Sequence, residues 1–457
     1  MNEINLFVPF LFLLIFVLPY LNKVKSISEY VQSTSKLGLS ESAPLLLAHL
    51  VKGFMILIAF QFISRHNLTL GVLLCTILFP ITVLYEKWIH SAISTHLNNP
   101  NQTPLTYFKA KSSRIAFYGI LFIMASIAFF AFFAEITWMT LSISYLFQVS
   151  RGVIFISLLF LAYVYAIAGG LSVLVRVSRV MMIFSFFVLI CLLLYTYLTN
   201  GIYSIYNNWM RMQSPVSTIT FPKVSHVSLW FLAILFVYVG YLLTNLSLWH
   251  INFSMKENRI KTIYSCTSFC FTSLLMTLMM IVVFVLSSQP DHTSSVNQML
   301  HTLSHHAPFF AYLLIMALLS IGLMSAFVSL KSIIDACVLA LHTEQKENPK
   351  LFRGIYLTSC GLLLLLFIVL RPTHTFLFTC IKLFSLLCIV SIPTYSLIML
   401  SKQKITVLRL LPLTIGFLTG LCLFTQPSSL LADLFWSFSV SLSLQLFLLL
   451  CQKFLHK

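Results

Sequence analysis

The sequence predicts an all-α polytopic membrane protein with about 13 transmembrane helices. Of its 457 residues, 59% are hydrophobic and only 9% charged, a balance outside the range of soluble globular domains. The apolar residues gather in windows of about 20, the length that crosses a hydrocarbon core as helix. Each spanning segment must also satisfy its own backbone hydrogen bonds, which a helix does within itself.

The windows lie near 4–22, 42–64, 68–95, 114–146, 152–172, 178–199, 226–249, 262–287, 309–341, 354–371, 374–400, 407–425 and 429–452. Turn and polar chemistry separates them, at Asn98–Pro104, Gln289–Asp291, Asn348-Pro349 and Gln426-Pro427. The polar stretch Leu105–Arg114 belongs at the interface before the fourth span. The first window follows Glu3, without a basic leader or a small-residue cleavage site, and reads as a retained helix. With the N-terminus outside and the C-terminus in the cytoplasm, inner segments hold twenty Lys and Arg and outer loops five. The other three, Lys52, Lys331 and Lys382, fall within spans. That bias favours thirteen spans and a cytoplasmic (inner) membrane location. The net charge of +17 is scattered through short loops. It reads as topology signal and contact with membrane lipid, with no nucleic-acid partner. The ten cysteines sit almost entirely in apolar segments and suggest neither a zinc cluster nor a disulfide framework.

Charge inside a span needs a reason, because it is expensive in lipid. In the ninth window Gly322, Ser325 and Ser329 share a face, and Lys331 and Asp335 follow at a spacing that lets them pair. Two readings stand: a site facing a cavity, or a packing helix with a self-neutralised ion pair. Glu135, deep in the fourth span, is either a proton carrier or the partner of Lys52 or Lys331. Lys382 lines the cavity or snorkels to an interface. Asp433 lies near an outer end and is expected to be solvated. His292, His301, His305 and His306 crowd one outer loop, better read as a polar or pH-sensitive lid than as a metal site. His49 is a titratable group or a satisfied bundle histidine. Spacing supports no nucleophile, base and oxyanion arrangement, so an enzyme is not expected.

Several segments resemble the sodium:solute symporter family of the proline and sodium–glucose transporters. They are Glu29-Tyr30 through Gly38; Thr103–Phe108; Tyr165 through Gly169-Gly170 to Ser178; Gly240-Tyr241 with Trp249-His250 and the basic loop Lys256–Lys261; and Met324-Ser325-Ala326. The resemblance implies thirteen helices built on two inverted five-helix repeats, a LeuT-like fold. Residues 1–27 are then an extra helix, 28–225 core helices one to five, 226–400 core helices six to ten, and 401–457 the C-terminal helices. It also implies a midplane site where a broken first helix meets the eighth. The sodium-site positions carried over are Ala48, Val51, Gly322, Ser325 and Ala326. The substrate or coupling positions are Lys52, Glu135, Tyr241, Lys331 and Asp335.

The sequence departs from that pattern in one direction. Ala326 replaces a hydroxyl residue, Ser178 replaces Asp, Arg176 and Arg179 are added, Thr244-Asn245 stands where Gln-Pro is common, and Lys52 precedes Gly53. Cation ligands are lost and fixed positive charge appears. The expectation is a secondary transporter of a small organic solute with altered or absent sodium coupling, Na+ or H+ being the candidate coupling ion. The alternative is a transport-inactive relative acting as a sensor or as the membrane subunit of a complex with a partner membrane protein.

Overall fold

The computed structural model describes residues 36–54, 68–97, 103–167, 170–213, 224–287, 308–341, 372–400, 404–424 and 430–455. Among these, the helices in chain order are α1 (Leu39–Leu50), α2 (Leu68–Leu97), α3 (Pro104–Lys111), α4 (Arg114–Phe147), α5 (Arg151–Ile167), α6 (Gly170–Asn200), α7 (Ile202–Gln213), α8 (Val224–Thr244), α9 (Leu246–Ser254), α10 (Ile260–Ser287), α11 (Pro308–Leu341), α12 (His374–Leu400), α13 (Leu411–Phe424) and α14 (Leu430–Leu455). Eight described helices are long and apolar enough to cross a bilayer, and nine if the bent pair α8–α9 counts as one span. The chain is a multi-pass membrane protein. The first and tenth windows, the Gly169 position and the histidine-rich loop lie wholly or largely outside the described residues.

Local chemistry sets the helix ends. Thr103 and Ser113 cap α3 and α4 by accepting from the N–H of Thr106 and Ala116. Gln148 ends α4 in the left-handed region, and Gly170 opens α6 at φ 61°. The second glycine of the Gly-Gly motif therefore holds a backbone conformation that a side chain would strain. The amphipathic α7 was not among the expected spans, because it is too short and too polar to cross.

Among the described spans the long α11 is the most enclosed, with 94% of its apolar window buried, and α4 is its main neighbour. Glycines bring particular helices together. A Cβ on Gly240 of α8 would collide with the Cys388 carbonyl of α12. At one end of the bundle, the lead-in to α1 pairs with the end of α9: Leu37 N–H donates to Ser254 O at 2.8 Å, and Lys256 N–H to Leu37 O at 3.1 Å. Lys36 Nζ adds a bond to Phe253 O, and Arg179 of α6 donates to Ser40 O. One expectation fails here. Asp433 is not solvated but buried against the bundle.

Candidate functional site

Two helices break in mid-bundle and face each other. The first, α1, stops where Val51 turns extended at φ −79°, ψ 116°, and helical backbone resumes at Gly53–Phe54. The second break is at Asn245, where α8 and α9 meet at a 59° bend. Asn245 makes this break a helix start, since its Oδ1 accepts from Leu248 N–H at 3.2 Å. An Asn inside an apolar run is a signal for such a cap, and the uninterrupted 226–249 window passes over it.

Unwound backbone at membrane depth must find partners outside its own helix. The Leu242 and Leu243 carbonyls of α8 accept from Tyr85 Oη at 2.6 Å and Trp249 Nε1 at 2.9 Å. In α1, His49 O accepts from Tyr241 Oη at 2.9 Å, and Asn245 Nδ2 donates to that same hydroxyl. Tyr241 thus ties the two breaks together. His49 is itself buried, with Nδ1 2.8 Å from Leu45 O. Gly53 N–H donates to Glu135 Oε1 of α4 at 2.8 Å. A Cβ on Gly53 would lie 2.6 Å from Glu135 Oε2 and 3.0 Å from the Trp138 ring, so glycine lets the break rest on α4.

Lys52 lies in the break and is fully buried. Its ammonium donates to Ser329 Oγ of α11 at 3.3 Å and sits 5.1 Å from the Tyr241 ring centroid, within cation–π range. Glu135 feels this charge without touching it: no salt bridge within 4 Å joins the two among the described residues. Instead Glu135 Oε1 also accepts from Ser325 Oγ at 2.7 Å. Phe54 and Phe384 pack edge to face at 5.4 Å, and Phe384 lies 5.8 Å from the Tyr241 ring.

The five sodium-site positions are all near this contact, but their chemistry suits a sodium ion poorly. The Ser325 hydroxyl is engaged by Glu135. Ala326 has no oxygen. A Cβ on Gly322 would come 2.5 Å from Met139 Sδ. Val51 is the extended residue of the break and Ala48 lies in the helical turn before it, both buried. Ser329, absent from the expected set, carries the contact to the Lys52 ammonium. Farther along α4 and α11, a small open cleft is lined by Trp138, Met139, Ser142, Ile143, Ile315, Leu318 and Leu319.

The substrate or coupling residues expected in one place separate into two. Lys52, Glu135 and Tyr241 meet at the centre. Lys331 and Asp335 form another cluster, because residues two apart on a helix, such as Ser329 and Lys331, point roughly 200° apart. Lys331 Nζ lies 2.5 Å from Asp335 Oδ2, and His250 Nε2 of α9 lies 3.8 Å from the same oxygen, all three side chains being fully buried. Ser247 of α9 and Ser332 of α11 add a 2.8 Å hydrogen bond between the same helices. Glu135 is therefore not the ion-pair partner of Lys331, whose carboxylate is Asp335. His250 entered the sequence reading only as part of a motif.

Paired breaks in two helices, meeting over an unbroken third and fourth, define the architecture. The fold is that of the LeuT-type transporters. A Na+-coupled sialic acid symporter, in a substrate-bound outward-open state, superposes with a TM-score of 0.73 at 12% identity, over 97% of this chain and 96% of that one. A manganese transporter of Eremococcus coleocola gives 0.59 at 13% identity, over 93% and 99%. A nucleobase-cation-symport-1 family transporter, in a closed conformation with bromovinylhydantoin bound, gives 0.56 at 12%, over 94% and 96%. No family model matches the sequence, and no curated protein matches it.

Proposed function

We propose that this LeuT-fold chain is a secondary active transporter. It carries a small organic solute (an amino acid, sugar or carboxylate) across the cytoplasmic membrane by alternating access, with the Lys52 ammonium in the place of a coupling sodium ion. The observation that carries this reading is the fully buried polar centre where the two breaks meet, with Lys52 Nζ on Ser329 and Glu135 on Ser325. Midplane sites between broken helices are where transporters of this build bind substrate and ions. A tethered cation removes the need for a diffusible one, so transport is driven by protons or runs without ion coupling. The reading takes 28–225 and 226–400 as the two repeats, each opening with a broken helix, and puts the N-terminus outside.

The test is uptake by proteoliposomes of a panel of amino acids, sugars and carboxylates, with sodium and proton gradients imposed separately. Accumulation without sodium, lost in Lys52→Ala, is the expected result. Saturable sodium dependence that Lys52→Ala leaves unchanged would sink the tethered-cation idea. The second reading, a transport-inactive sensor or membrane subunit, draws support from the Tyr241 ring over the ammonium, with Phe384 packed on Tyr241 and Phe54 on Phe384. It predicts no uptake of any solute and co-purification of a partner membrane protein.

A further inference from the structure

The cluster on α11 holds buried groups whose bonding capacity is unfilled. Neither ring nitrogen of His250 has a hydrogen-bond partner, and neither has Asp335 Oδ1. A fully buried imidazole with both nitrogens unbonded is costly and calls for an explanation. At 3.8 Å from Asp335 Oδ2, His250 stands just beyond hydrogen-bond range. A shift of under 1 Å, small for packed helices that move, would make it an ion pair.

The two sides of that gap belong to different kinds of element. His250 rides on α9, nine residues jointed to α8 at Asn245. Asp335 and Lys331 belong to α11, 34 residues without a break. The lead-in to α1 is tied to the end of α9 by backbone bonds, so the two move as a unit. The titratable and charged groups facing α9 are Lys36 from the lead-in to α1, Tyr107 from α3, Tyr264 from α10, and Lys331 and Asp335 from α11; His49 of α1 lies within electrostatic reach of Lys331.

We propose that His250, Asp335 and Lys331 form a proton-binding site, separate from the Lys52 centre, whose occupancy sets how tightly α9 is held to α11. One buried carboxylate fully offsets one cation, not two, and here Lys331 holds it. A proton on His250 Nε2 makes imidazolium and lysine share Asp335 Oδ2, drawing α9 inward. Loss of that proton leaves α9 held by the neutral Ser247–Ser332 bond and its backbone ties. Proton occupancy thereby biases opening at the end of the bundle where α1 begins. This rests on the transporter reading for what the opening accomplishes, but not for the protonation.

The test uses the full chain in liposomes on a solid-supported membrane, with a pH jump and no solute, so that protons are the sole probe. The wild type should give a transient displacement current that falls to background in His250→Gln. Lys331→Met/Asp335→Leu, which replaces the pair by apolar groups and should fold, should lose it too. Thermal melting checks that both variants are folded. An absent wild-type transient, or one unchanged in folded His250→Gln, overturns the proposal. So does a transient that Glu135→Gln abolishes while His250→Gln keeps it. A His250-dependent transient in a protein that takes up no solute would leave this site standing and remove the transporter reading.

Discussion

Lys331 reaches a carboxylate four residues on along its own helix, at 2.5 Å, whereas Lys52 reaches a neutral hydroxyl on another helix, at 3.3 Å. Glu135, whose charge Lys52 feels, is occupied by a backbone N–H and a serine. Both amines are buried, yet one is neutralised within a single rigid helix and the other is held across several elements at a break. A lysine paired along its own helix stays paired however the bundle moves. A lysine held by Ser329 and the Tyr241 ring changes surroundings whenever α1 shifts against α11. The difference teaches that burial alone does not say how a charge responds to motion; what matters is whether its partners share its element.

This contrast can be broken at the α11 pair first. Asp335→Asn leaves Lys331 without its carboxylate and should cost about 3–5 kcal/mol, while Lys331→Met/Asp335→Leu should be close to neutral. Denaturation in detergent measures both, and equal losses would mean the contact is not an ion pair. At the centre, Glu135→Ala strands the Gly53 N–H and the Ser325 hydroxyl together, an expected loss of about 2–4 kcal/mol. Gly240→Ala drives a methyl into the Cys388 carbonyl and should cost about 1–3 kcal/mol by overpacking. Gly322→Ala should cost less, because the atom it meets is the flexible Met139 thioether. Lys52→Met should change stability by about 1 kcal/mol or less, as a volume-matched apolar swap, yet abolish sodium-independent uptake. A variant with intact uptake would erase the distinction between the two lysines. Ser247→Ala, losing one interhelical hydrogen bond in the membrane, should cost about 0.6 kcal/mol.

The architecture was legible because lipid imposes it: apolar windows of fixed length, and a Gly-Gly motif whose Gly170 takes a positive φ where α6 begins. The motifs around Gly170 and Ser325 pointed to the two-repeat fold before any contact was known. Within the centre, Lys52, Glu135 and Ser325 were legible as intramembrane polar residues that need partners. Their pairing was not. Lys52 and Ser329 are 277 positions apart, and helical periodicity carries no information across that separation. The pairing of Lys331 with Asp335 was readable because four residues span one helical turn. Lys331 and Ser329 fall on different faces of α11 for the same local reason: two further residues turn a side chain round the helix. The bend at Asn245 escaped because hydropathy sees an unbroken run where a single cap divides it.

The clasp between Leu37 and the end of α9 is made of main-chain atoms. Amide and carbonyl are common to nearly every residue, so side-chain scanning reads the packing of the buried Leu37 and the exposed Lys256, not the clasp itself. Proline alone lacks the donor, which makes Leu37→Pro and Lys256→Pro the substitutions that would unfasten it.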